Sequence, residues 1–261
     1  MSLPSSAIGY EGLHETFDLP SFDTIDGVTV LIGLYVREGR DAVLAADQRR
    51  GQLVLETGDV EPIKKENTLK SVRLNNHLAI ACAGIRPFST VIYGVLSRRE
   101  DLIDFSEDHE ITEILEKEPP EVGFEAREAV EAVTAAIGVA IDRVRQACEG
   151  WSMESLLSDA SVILLGKEGG RPIFYRWEQK TGWQPHPRPF ASGRMGVVAW
   201  PRLFTDADKT GFRRKLDRPQ LPAAVRVRDA ISFAASKSDR VGAAFTMRRL
   251  SRGLDLEQFA A

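Results

Sequence analysis

The sequence predicts an α+β protein in which two sheets pack face to face and helices cover their outer faces. Two observations carry this. Four short strand signals arrive before any helix signal, and the order thereafter is two helices, strands, two helices and a strand. Each helix pair follows a set of strands and can cover it, because a sheet with an apolar face must bury that face against another layer.

Val28 to Val36 and Ala42 to Ala46 are apolar, β-branched-rich runs joined by the turn-like Arg37-Glu38-Gly39-Arg40-Asp41, a hairpin signal. Gln52 to Val60 alternates imperfectly and reads as extended, leading into the charged Lys64-Lys65-Glu66 loop. Ser71 to Leu74 and Leu78 to Cys82 form a second strand pair around Asn75-Asn76-His77, ending at Ala83-Gly84. Pro87 to Leu102 then places Phe88, Val91, Ile92, Val95 and Leu96 at helical spacing. Glu107 to Val122 is acidic, and Pro119-Pro120 breaks any helix there. Phe124 to Cys148 reads as a helix with Ala129, Val130, Val133, Ile137, Ala140, Ile141 and Val144 on one face, stopped near Gly150.

Ser161 to Gly166 reads as a buried strand, Glu168-Gly169-Gly170 as a turn and Pro172 to Trp177 as the partner strand. Trp183 to Phe190 resembles a further strand ending at Ala191-Ser192-Gly193. Gly196 to Leu203 and Pro222 to Ser236 read as helices, with the charged segment Thr205 to Gln220 as a surface excursion between them. Gly242 to Ser251 reads as a last strand, followed by a short polar tail. No internal repeat or low-complexity run interrupts this order.

Composition sets outer bounds. The 261 residues are 43% hydrophobic and 28% charged, the balance of an ordinary globular chain. A formal net charge of −4 argues against a nucleic-acid partner, which calls for a basic surplus. Arg213-Arg214-Lys215 and Arg248-Arg249 read as solvated basic clusters. No stretch has the length of a membrane span, so no membrane partner is expected. Cys82 and Cys148 fit no metal or redox spacing and the four histidines are scattered, so no cofactor and no metal are expected. A reducing, cytoplasmic setting is the simplest. Residues 1–28 lack the charge and apolar core of a targeting signal; residues 1–27 read as a loose N-terminal arm.

Three polar residues stand inside or at the edge of the early apolar runs: Thr29, Asp47 and Lys70. Each alone is ordinary, a β-forming threonine and two strand-end charges. Together, in the order Thr29…Gly33, Ala45-Ala46-Asp47-Gln48-Arg49, Lys70-Ser71-Val72-Arg73-Leu74 and Ala83-Gly84, they resemble a proteasome β-type subunit, a member of the N-terminal-nucleophile hydrolases. The resemblance covers most of residues 28 to 250. The hairpin from Gly33 to Asp47 is about two residues longer than usual, and an even insertion keeps side chains on their faces because the strand period is two. The crossover from Asp47 to Lys70 is also longer, and the connection near 103–123 is enlarged.

The resemblance implies a four-layer αββα sandwich over residues 29–261, the N-terminal-nucleophile hydrolase fold, behind a leader or propeptide of residues 1–28. It implies a threonine endopeptidase in which Thr29, once freed, supplies nucleophile and base. Its hydroxyl attacks the scissile carbonyl and its own α-amine accepts the proton; that amine titrates at about 7.7–8.0 unperturbed, close to the optimum for a base near neutral pH. By the same resemblance Lys70 stabilises developing negative charge, Asp47 pairs that lysine, the Gly84 N–H donates to the oxyanion, and Ser192 and Asp239 orient the amine. The resemblance also implies that Cys82 falls at the floor of the primary specificity pocket with Arg50 and Arg86 near its walls; two readings of the arginines stay open, a lining suited to acidic or polar substrate residues and a role in subunit contacts. Self-association into rings and stacked rings is implied, with peptides or unfolded proteins as substrates and an ATP-dependent unfoldase feeding the chamber.

The sequence departs from the family at Val28, where self-processing subunits carry glycine; at Ala191, which replaces the first glycine of Gly-Ser-Gly; and at Gly242, where a serine is expected. These favour the alternative of a non-catalytic ring or scaffold subunit that is never processed, whereas the complete Thr29, Asp47 and Lys70 set favours the enzyme. A third reading keeps the nucleophile but gives it a small amide substrate.

Overall fold

The computed structural model describes residues 29–36, 40–49, 69–99, 111–117, 125–147, 152–157, 160–186, 195–199, 204–238 and 241–260. Strands β1 (Leu31–Val36) and β2 (Asp41–Asp47) form the expected first hairpin, and β3 (Ser71–Asn75) and β4 (Leu78–Ala83) the second. The pair β5 (Ser161–Glu168) and β6 (Arg171–Glu178) follows after the helices, continued by β7 (Gly182–His186). With β8 (Met195–Ala199), β9 (Phe245–Arg249) and β10 (Leu256–Phe259), these strands make two five-stranded antiparallel sheets. One has the order β10-β9-β2-β1-β8 and the other β3-β4-β5-β6-β7.

Strand alternation divides the apolar residues into three clusters. Leu31, Leu44, Ala46, Ala79, Ala81, Ile163, Leu165 and Phe174 fill the space between the sheets, where the many alanines allow close approach. On the far side of the first sheet, Val30, Ile32, Val43 and Ala45 meet Phe212, Val227, Ala230 and Ile231 of the helices α5 (Asp206–Leu216) and α6 (Ala223–Lys237). On the far side of the second, Leu78, Ile80 and Val162 meet α1 (Arg86–Leu96), α2 (Ile111–Lys117), α3 (Ala126–Ala147) and the one-turn α4 (Met153–Leu156). The layers therefore run helix, sheet, sheet, helix, as the element order predicts.

Helix α3 buries Ala126, Ala129, Val133, Ala136, Ile137, Ala140 and Val144 at i, i+3 and i+4 spacing. Its exposed face carries the charges, so it needs the core to be a helix. Helix α1 begins with Pro87 at its first turn, where a missing N–H costs nothing, and it ends at Leu96, short of the expected Leu102.

Four elements differ from expectation. Met195–Ala199 is a strand, β8, paired with β1 at the sheet edge, where a helix over Gly196 to Leu203 is expected. The β-branched Val197-Val198 suits a pleated strand, and so short an apolar run has no readable period. The expected excursion from Thr205 to Gln220 contains helix α5. Its apolar contribution is only Phe212 and Leu216, but a capping box closes its start: the Thr205 side chain accepts from the Asp208 N–H, and the Asp208 carboxylate accepts from the Thr205 N–H. The connection near 103–123 holds α2, which stops at Lys117 before Pro119. The polar tail contains β10, whose Phe259 stacks on Phe245 with ring centroids 4.6 Å apart. The expected extended segment Gln52 to Val60 lies outside the described residues.

Candidate active site

β-Strand polarity brings the singled-out residues to one end of the molecule. β1 begins where β2 ends, since Leu31 pairs with Ala46. β3 begins where β4 ends, since Ser71 pairs with Ala81. The two hairpins then meet at that end through side chains.

Asp47 closes β2 and is wholly buried. Its carboxylate is a hub. Lys70 Nζ donates to both oxygens at 3.0 Å, and Lys70 is itself 9% exposed. The backbone N–H of Val30 donates to Oδ1 at 2.8 Å, and those of Arg49 and Gly242 donate to Oδ2 at 3.3 and 3.4 Å. Charge-assisted bonds of this kind are about twice as strong as neutral ones, and together they offset the cost of removing both charges from water.

Thr29 is half-buried and directly precedes Val30. Its carbonyl carbon is bonded to the nitrogen that donates to Asp47 Oδ1, so the Lys70 ammonium and the Thr29–Val30 peptide share one carboxylate oxygen. Gly84 ends β4 with φ +121°, a backbone region that L side chains rarely adopt. A Cβ there would also lie 3.2 Å from Ala160 Cα. The glycine is required, and it frees the chain to turn into α1.

Gly242 shows why the expected serine is missing. A Cβ at this position would sit 2.8 Å from Arg49 Cβ and 3.0 Å from Arg49 N, so two backbone segments touch while the Gly242 N–H reaches Asp47. We expect Gly242→Ser to destabilise the protein by about 1–3 kcal/mol through overpacking, read from urea unfolding; an unchanged midpoint would refute the close-packing account.

Cys82 is 4% exposed and belongs to the apolar cluster between its sheet and the helices. Burial pushes its thiol up to about 12, against a hydrogen bond with Tyr93 that acts the other way. This cysteine is therefore a poor nucleophile at neutral pH. Arg50, Ser192 and Asp239 lie outside the described residues, as does the side chain of Arg86.

Tyr93 is the residue that sequence reasoning missed. Its hydroxyl donates to the Lys70 carbonyl at 2.8 Å and accepts from the Cys82 N–H at 3.1 Å. The available signal was one hydroxyl within the apolar pattern of α1, and buried tyrosines usually find a hydrogen-bond partner. Among the described residues no group of three or more His, Cys, Asp or Glu is placed to hold a metal ion, and no helix is long and apolar enough to cross a membrane.

No protein-family model matches the chain, and no curated protein matches it in sequence. Among solved structures it is similar to Anbu (ancestral beta-subunit) from Yersinia bercovieri, with a TM-score of 0.54 and 12% identity over 88% of this chain and 87% of that chain. At that identity the likeness is one of fold.

Proposed function

We propose that this chain is a proteasome-like threonine endopeptidase subunit of the N-terminal-nucleophile type, with Thr29 as the nucleophile once residues 1–28 are removed. The observation that carries the reading is the buried Asp47–Lys70 pair, which shares a carboxylate oxygen with the peptide nitrogen next to Thr29. A pair of charges this deeply buried is costly to keep for structure alone, since apolar residues of similar volume often do as well. The fold likeness to an ancestral beta-subunit supports the same family.

On this reading Thr29 Oγ attacks the substrate carbonyl carbon, and its proton passes to the Thr29 α-amine. The Lys70 ammonium, held by Asp47, stabilises the negative charge that develops nearby. The Gly84 N–H donates to the oxyanion, a role worth about 10²–10³ in rate where a single such donor has been removed. Collapse of the tetrahedral species breaks the C–N bond, and the amine returns its proton to the leaving nitrogen. Water then hydrolyses the ester and restores the threonine. Ser192 and Asp239 are assigned to orienting the amine, and Cys82, Arg50 and Arg86 to the specificity pocket. Ring assembly and an ATP-dependent unfoldase belong to the proposal as well.

A second reading, an unprocessed scaffold subunit, has its own support. Val28 is β-branched where the cleaved bond calls for a readily turned glycine, and the packing of Gly242 on Arg49 leaves no room for the serine hydroxyl. Intact mass decides between them. The enzyme reading expects loss of residues 1–28 from the parent protein but not from Thr29→Ala. Full-length mass for both after assembly would move the scaffold ahead.

A further inference from the structure

The ladder between β3 and β4 shifts register between Arg73 and Asn75 and is regular from the Arg73–Ala79 pair to the Ser71–Ala81 pair. One residue further, at Lys70 and Cys82, the bond from the Cys82 N–H to the Lys70 carbonyl is stretched to 3.3 Å, against a usual 2.9–3.0 Å. The Tyr93 hydroxyl lies beside that bond, donating to the Lys70 carbonyl at 2.8 Å and accepting from the Cys82 N–H at 3.1 Å. Tyr93 is 2% exposed, and its ring is held in the cluster beneath α1, so the hydroxyl cannot swing away without moving the helix.

We propose that Tyr93 is a positioning residue whose hydroxyl ties the Lys70 carbonyl to the Cys82 N–H at the end of the β3–β4 ladder and so holds the Lys70 ammonium on Asp47. The inference rests on the peptidase reading for its functional meaning, since there Lys70 must keep its charge.

Two further features focus the effect on Lys70. The next residue is immobilised from the opposite side: Arg248, fully buried on β9, donates from Nε to Ser71 Oγ at 3.0 Å and from Nη2 to the Ser71 carbonyl at 2.9 Å. Its charge is matched by Glu116 of α2, so the enlarged connection contributes to fixing β3. With Ser71 clamped, any change in the ladder falls on Lys70. On the other strand, Cys82 lies two residues before Gly84, and α1 starts two residues after it. The bond from Cys82 to Tyr93 thus closes a short loop with Gly84 inside it.

Without the hydroxyl, the Lys70 carbonyl loses the shorter of the two bonds given above, and the start of β3 is held less firmly. The Lys70 ammonium is then held less closely on Asp47. A buried amine that loses its carboxylate gives up its proton more readily, and the neutral amine is the form that acylates.

The test compares the parent protein with Tyr93→Phe, which keeps the ring and its packing. Both are treated with trace acetic anhydride at fixed pH, and acetylation of Lys70 is measured by peptide mass spectrometry relative to the exposed Lys117 and Lys180. The expected result is a rise of about tenfold in the Lys70 ratio, the effect of about one unit in pKa, with the Lys117 to Lys180 ratio unchanged. An unchanged Lys70 ratio overturns the proposal. A rise shared by all lysines also overturns it, because that is general loosening of the fold. The readout is the chemistry of one ammonium and needs no turnover, so a parent protein that hydrolyses no peptide counts against the peptidase reading and leaves this result to be judged on its own.

Discussion

Lys70→Met is expected to destabilise the protein by about 3–5 kcal/mol, the range for removing one partner of a buried ion pair. The Asp47 carboxylate is completely enclosed. After the substitution it keeps its bonds from the Val30, Arg49 and Gly242 N–H groups but loses both bonds from the ammonium and the countercharge it carries. Methionine fills much of the lysine volume, so the loss reports on charge rather than on a cavity. The double variant Asp47→Asn with Lys70→Met removes the orphaned charge while leaving an amide oxygen for Val30. It is expected to be more stable than Lys70→Met alone, because a neutral pair avoids the desolvation cost that the single variant exposes. Urea unfolding of the parent, Lys70→Met, Asp47→Asn and the double variant completes a double-mutant cycle. A single-variant loss below about 1 kcal/mol, the range of surface pairs, would show that water reaches the pair and that Asp47 is not the hub described above.

Much of this hub was legible in the sequence, and the reasons differ residue by residue. Asp47 and Lys70 are each ordinary strand-end charges alone and could be picked out because they stand in a fixed order with Thr29 and Ala83-Gly84. The backbone donors were not legible. The Val30, Arg49 and Gly242 N–H groups have no signature in residue identity, since every residue except proline carries one. Gly242 read as a lost hydroxyl, and only the contact with Arg49 reveals that the position has no space for a side chain. Tyr93 was hidden because its ring obeys the apolar pattern of α1 while its hydroxyl serves a different layer.

The fold followed the same division. Strands β1 to β6 carry strong β-branched or alternating patterns and lie where they were expected. β8 was read as helix because a five-residue apolar run has no period to measure. α5 goes unseen because only Phe212 and Leu216 meet the core; most of its other residues are charged or polar, as with Lys209 and Asp206, and leave a weak apolar trace.

Thr29→Ala is expected to separate activity from stability in a way that Lys70→Met cannot. Thr29 is half-buried and precedes the first strand, so losing its hydroxyl and methyl falls among substitutions that cost within about 1 kcal/mol. Its role in the proposed chemistry is total, because alanine has no nucleophile. Hydrolysis of a panel of fluorogenic peptides bearing acidic, basic and apolar residues is expected to fall by about 10³-fold or more in the variant, given the size of nucleophile knockouts in other hydrolases. Thr29→Ser, which keeps an oxygen nucleophile and the amine, is expected to retain measurable turnover. The Asp47–Lys70 pair should survive in both variants, with a urea midpoint lowered by no more than that small loss implies, because its bonds involve the Val30 backbone and not the Thr29 side chain. A Thr29→Ala protein that hydrolyses the panel as fast as its parent would remove Thr29 from the chemistry. The buried pair would then remain only a structural element of the sheet ends.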